Sequence, residues 1–211
     1  MEGSYVKIYD LAKPYLSTRD NDIHTKISYS FARRLCDAEK GNECVVLPAI
    51  ILHDVGWIKI PEELHPRAFG PGPRDTELNR IHEVEGAKIA RKILEVVKYS
   101  PDLTEEIVEI VLGHDSRKEP VSINDAIVKD ADKLWRFSDY GFEVDVRRFK
   151  LDPAGYVAWL EDQIESWFIT QAGKAVARKD LSLREQRFGK KKDREKGALP
   201  MAADLAKNHQ S

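Results

Sequence analysis

The sequence predicts an all-α fold, and three observations carry that prediction. Apolar residues recur at helical spacing through most of the chain, as in Ile23, Ile27, Phe31 and Leu35. No run alternates apolar and polar residues between turn signals, as a half-buried strand would. Helix start signals precede the periodic stretches at Asp20–Asp22, Asp75–Thr76, Pro101–Asp102 and Pro153.

Taken in order, residues 4–16 are expected to form a first helix with Pro14 near its end. A second amphipathic helix follows the Asp20–Asp22 signal and runs to about Ala38, before Gly41 breaks the chain. Glu43 to Val55 is apolar almost all round and reads as a central buried helix stopped by Gly56. Residues 60–75, IPEELHPRAFGPGPRD, hold too much Pro and Gly for a regular element and read as an irregular, lid-like loop. A long helix then carries Ile81, Val84, Ile89, Ile93 and Val97. The next opens at Pro101 and stops at Gly113. Ser122 with Asp125 resembles a capping box and introduces Ile123, Ile127 and Leu134. Pro153 starts a helix rich in aromatics, with Tyr156, Trp159, Trp167 and Phe168. Trp159, Trp167 and Phe168 are candidates to cover the core or a second copy of the chain, as in a homodimer. The expected organisation is one helical domain over residues 1–180 and a charged tail over 181–211.

Composition narrows the function classes. The 211 residues are 42% hydrophobic and 33% charged, enough apolar material for a core. The longest apolar run, Cys44 to Leu52, contains a proline and is too short to span a membrane. Met1 is followed by Glu2, so no signal peptide is read, and two cysteines, Cys36 and Cys44, make no disulfide framework. A cytoplasmic location is the resulting expectation. The net charge of −2 divides unevenly: residues 174–196 carry +6, residues 197–211 balance, and the remaining 173 residues carry −8. An acidic body repels phosphate backbones, which argues against nucleic acid as a partner, while it suits a divalent cation.

Four of six histidines, His24, His53, His82 and His114, fall on or at the ends of four separate expected helices. His53 is followed by Asp54 at the end of the most apolar helix, where a carboxylate needs a cation or strong donors to offset its burial. A late pair, Asp130 and Asp132, sits in VKDADKLW. Imidazole and carboxylate together suit Zn, Mn or Fe. His65, in the loop, and His209, in the tail, are set aside.

In the order His24, His53-Asp54, His82, His114, Asp132, the sequence resembles the HD-domain superfamily of metal-dependent phosphohydrolases. LPAIILHDVGWIKIP matches its signature helix and AIVKDADKLWRF its closing motif, and the likeness covers residues 20–140. The resemblance implies an HD-type helical bundle around a central metal site. It places His24, His53, Asp54 and Asp132 at a first ion, with Asp132 preferred to Asp130 because it follows the alanine. It places His82 and His114 at a second ion bridged by Asp54. The cofactor implied is one or two divalent ions among Mn, Fe, Zn, Mg and Co. Trp57 after Gly56, and SRKEP further on, depart from the cyclic-dinucleotide phosphodiesterase branch.

The activity implied is hydrolysis of a small phosphorylated substrate, such as a nucleotide, by a metal-activated water. Asp54, Asp115 and Lys59 are the candidate catalytic residues, Asp115 as proton acceptor or supporting partner. Lys59, Arg67, Arg74, Arg117, Lys118 and Lys133 are candidates to neutralise phosphate. Trp57 and Phe69 are candidates to stack on a base or to plug the core. Two alternatives remain at this point: a diiron oxygenase of the same superfamily, and a non-catalytic binding module using the basic tail.

Overall fold

The computed structural model describes residues 4–69 and 75–189. Those residues form helices and short 3-10 turns, with no strand among them. They divide into two compact units, Met1–Asp132 and Lys133–Ser211, where the sequence pattern predicts one domain to residue 180.

The first unit is built around one apolar helix. α1 (Ser4–Ala12) continues into a 3-10 turn, Lys13–Leu16, at Pro14. α2 (Asn21–Glu39) ends at Lys40, which takes the left-handed conformation (φ 58°) one residue before Gly41. α3 (Glu43–Leu52) is capped by Asn42, whose side chain accepts from Cys44 N at 3.0 Å. Val45 to Leu52 are at most 1% exposed where apolar, so α3 forms the core against which α1, α2 and α6 (Pro101–Val111) pack. Burial on every side is what its unbroken apolar sequence dictates.

α3 ends at Leu52, three residues before the expected stop, and the chain turns into a 3-10 segment, Val55–Lys59. Gly56 therefore does not cap a helix. It lets two backbones touch: a Cβ there would lie 1.9 Å from the His82 carbonyl oxygen and 2.6 Å from Gly86 N on α5 (Thr76–Val96). This approach sets the chain after His53 directly against His82.

Residues 60–69 are more ordered than their proline content predicts. Glu62–Leu64 is a 3-10 turn and His65–Phe69 is a short helix, α4. Pro61 and Pro66 stand at the starts of these elements, where the missing N–H costs nothing. Ile60, Leu64 and Ala68 recur every four residues and pack with Trp57 and Leu78. Residues 70–74, with the Pro-Gly-Pro run and Arg74, lie outside the described residues. Asp75 caps α5 through Glu77 N and Leu78 N.

α7 (Ile123–Leu134) begins with the expected Ser122–Asp125 pairing, Asp125 N donating to Ser122 Oγ at 3.2 Å. The return bond is shifted: Asp125 Oδ2 accepts from Val121 N at 3.0 Å.

The second unit holds α8 (Asp139–Phe149), α9 (Pro153–Trp167) and α10 (Gln171–Phe188). Ser138, Asp152 and Thr170 cap them, each accepting from the backbone N–H three residues on. Phe137, Phe142, Tyr156, Leu160, Phe168 and Ala177 form the core, and Phe168 packs edge-on against Phe137. Trp159 and Trp167 stay half-buried, in edge contact with each other. α10 passes the boundary at 180 expected for the charged tail. Leu181 and Arg184 are 5% and 6% exposed, so this part of the basic stretch packs as a helix face. Residues 190–211 lie outside the described residues.

Candidate metal centre

The end of α3 delivers His53 and Asp54; α2 delivers His24 and α7 delivers Asp132. Their donor atoms converge: His24 Nε2 lies 3.0 Å from His53 Nε2 and 3.1 Å from Asp132 Oδ1, and His53 Nε2 lies 3.4 Å from the same oxygen. A second group adjoins the first. His82 Nε2, from α5, lies 3.3 Å from His114 Nε2, and Asp54 Oδ1 lies 3.7 Å from His114 Nε2. Asp54 serves both groups, because its Oδ2 lies 3.5 Å from His24 Nε2 and 3.6 Å from His53 Nε2. In each triplet, His24, His53, Asp132 and Asp54, His82, His114, one donor atom per residue falls within 4.8 Å of the others. Asp130 is buried, yet it is Asp132 that reaches the cluster.

The donor chemistry fits a divalent cation. His53 and His114 each spend Nδ1 on a carbonyl three residues back, Ile50 O at 2.9 Å and Val111 O at 2.8 Å. That bond puts the ring proton on Nδ1 and aims the Nε2 lone pair inward, the arrangement of a metal-ligating histidine. Lone pairs and carboxylate oxygens at 3.0–3.7 Å from one another repel unless a proton or a cation stands between them.

The titration of the group follows from this crowding. Burial pushes His114 down, but the hydrogen bond to Asp54 and the charges of Asp115, Asp54 and Asp132 outweigh it and hold it up at about 10. His53 is also raised, burial being outweighed by Asp54 and Asp132. Burial alone would raise Asp54 and Asp132; the surrounding histidines hold both well below the usual carboxylate range. His82 goes the other way, to about 4, through burial and the neighbouring His114 charge. The side chains thus retain protons in the place a cation would fill.

The cluster opens to solvent on one side. His53, His82 and His114 side chains are at most 1% exposed, whereas Asp132 is 21% and Asp115 is 39% exposed. Asp115 Oδ2 lies 3.5 Å from His82 Nε2, so the structure brings this candidate to the mouth of the site. The Lys59 side chain is exposed on the 3-10 segment. Arg67 pairs with Asp75, Arg117 with Glu109 and Asp125, and Lys133 donates to the Trp167 carbonyl. Trp57 is 3% exposed and stacks flat on His82 at 4.1 Å, which makes it part of the core. Phe69 is not described at the side-chain level.

Two residues that hold the site were not read from the sequence. Glu83, 0% exposed, accepts from Asp115 N at 2.9 Å, Ser116 N at 2.8 Å and Ser116 Oγ at 2.6 Å, clamping the turn after His114 to α5. Lys129, 2% exposed on α7, donates to the carbonyls of His114 and Arg117 at 2.9 and 3.0 Å and faces Asp125 at 3.7 Å. The signal was present in both cases: a charged residue on the apolar face of its helix, which demands a buried partner.

Comparisons with known proteins agree with this geometry. A family model described as the HD domain matches residues 21–136. No curated protein matches the chain. The crystal structure of a predicted HD superfamily hydrolase from an uncultured Thermotogales bacterium is similar at 18% identity, with a TM-score of 0.60, over 86% of this chain and 87% of that one. At that identity the likeness is one of fold. Among the described residues no single helix is long and apolar enough to cross a membrane.

Proposed function

This chain belongs to the HD-domain family, and we propose that it is a metal-dependent phosphohydrolase acting on a small phosphate ester, for which a nucleotide is a candidate. The observation that carries the reading is the pair of adjoining donor triplets, with Asp54 of the second also reaching His24 and His53 of the first. His24, His53 and Asp132 would hold one divalent ion, and His82 and His114 a second, with Asp54 reaching both. Such ions supply Lewis-acid polarisation of a phosphoryl oxygen and lower the pKa of water toward about 7.

The chain's own groups do the rest. His53 and His114 are fixed in tautomer and orientation by their carbonyl bonds, so the inward donors need no reorganisation. Asp115, the most exposed carboxylate of the group, is the residue assigned to take a proton at the mouth. Glu83 and Lys129 hold the turn that carries His114 and Asp115. Lys59, exposed on the 3-10 segment, stays a candidate catalytic residue. A cytoplasmic location and self-association through the aromatic helix α9 belong to the same reading.

The test is metal analysis of protein purified without chelators, followed by a panel of phosphate esters. Turnover dependent on a divalent ion, lost together with the bound metal in His53→Ala and Asp54→Ala, is the expected result. Unchanged metal content in both variants would remove these residues from the site. A bound iron pair with oxygen uptake and no phosphate release would replace hydrolysis with the oxygenase reading.

A further inference from the structure

Asp54 divides its two oxygens between the donor groups: Oδ2 faces His24 and His53, and Oδ1 faces His114. One side chain contacts the second arm and, at the same time, another member of the second group. The Trp57 indole N–H donates to Asp54 Oδ1 at 3.0 Å. The Trp57 ring lies flat on the His82 imidazole, with centroids 4.1 Å apart and planes 12° from parallel. The indole is itself fixed. Arg19 lies over it at 4.5 Å, His65 meets it edge-on at 4.9 Å, and Ile60 and Ala68 pack around it, leaving it 3% exposed. Gly56, just before it, holds this stretch of backbone against α5 at His82.

A carboxylate turns readily about its terminal torsion, and a buried imidazole also has a broad ring torsion. A donor fixed on the first and a flat surface against the second remove both freedoms. Of the groups in the second triplet, His114 already has the Val111 carbonyl as its anchor. Among the described residues the Nδ1 of His82 is buried without a hydrogen-bond partner, so the ring has no such anchor there. The indole supplies by stacking what that nitrogen lacks.

We propose that Trp57 is the positioning residue of the second cation site: its N–H sets the Oδ1 arm of Asp54 and its face sets the plane of His82, so the second ion, which would use both groups, depends on this indole more strongly than the first, which would use Asp54 alone. The inference rests on the two-ion reading above and adds a division of labour within it. Partners of this kind change metal affinity by about 10–100-fold.

The test is a manganese titration of full-length protein stripped with chelator, followed by electron paramagnetic resonance. Wild type and two variants are compared, with thermal melts to confirm folding. Wild type is expected to take up two equivalents and show the signal of a coupled manganese pair. Trp57→Phe keeps a ring to stack on His82 and loses the N–H. It is expected to bind the second equivalent about tenfold more weakly and the first with a smaller loss, with the signal of isolated ions at stoichiometric metal. Trp57→Leu loses both contacts and is expected to weaken the second equivalent further, toward about 100-fold. If Trp57→Phe retains both equivalents and the coupled signal, the inference is wrong while the two-ion reading stands. If folded Trp57→Phe weakens both equivalents alike, the indole supports the whole cluster and the assignment to the second site is overturned. If wild type itself takes up no second ion, the two-ion reading fails and the inference with it.

Discussion

Each unit of this protein buries charge, and the two do so in opposite ways. In the second unit, Asp145 is 1% exposed, and its Oδ2 accepts from Arg136 and from the Tyr156 hydroxyl, the latter at 2.8 Å. One permanent cation meets one anion and a neutral donor. In the first unit, Asp54, Asp132 and Asp115 meet imidazoles within the cluster, and His114 and His53 are raised to retain protons there. A guanidinium cannot leave, whereas an imidazole proton can be exchanged for a metal ion. Buried charge by itself therefore says little about function. What distinguishes the two regions is whether the compensating positive charge is built in or replaceable.

The sharpest way to break this contrast is to remove the negative charge from the Asp145 group. Asp145→Asn leaves Arg136 facing a neutral partner, and the expected loss of stability is about 3 kcal/mol, the low end for a buried pair because Arg136 is 24% exposed. Chemical denaturation measures it, and metal uptake is expected to be unchanged. A loss of metal binding in the folded variant would erase the distinction between the regions.

A smaller effect is expected from Glu83→Gln. The amide presents a donor where the carboxylate accepts three hydrogen bonds from the 115–116 turn. Metal affinity is expected to fall about tenfold, and stability by roughly 1–3 kcal/mol, read by calorimetric titration and thermal melts. Affinity unchanged alongside lowered stability would reduce Glu83 to a structural clamp.

The gentlest test uses pH. His114 is held up at about 10, so near neutral pH it carries a proton that a cation must displace. Metal binding is expected to release protons, and affinity to rise with pH by about tenfold per unit per displaced proton until the pH passes about 10. Calorimetry in two buffers of different ionisation enthalpy counts the protons, and a count of zero would contradict the exchange. The linked stability has the opposite sign. In chelator, the raised value of His114 stabilises the fold fully below pH 6.5, its ordinary value, and that contribution is lost as the pH rises through about 10.

Much of the site is legible in the amino-acid sequence, for a local reason. Each donor sits on or beside an element whose start or apolar period is written in neighbouring residues: Asp20–Asp22 before His24, the apolar run before His53, Asp75 before His82. The loop at 60–69 misled because proline density masked the period of Ile60, Leu64 and Ala68.

The sequence by itself determined the all-helical class, the order of the donors and the family to which they point. These depend on periodicity, capping and motif, all properties of short stretches. Only the tertiary structure decided that Asp54 faces two ways, that Gly56 is a close approach of backbones, and that Trp57, Glu83 and Lys129 hold the site from behind. Glu83 and Lys129 reach partners 12 to 33 residues away in the chain. No local period encodes such a pairing, because it comes into being only when packing closes the intervening chain.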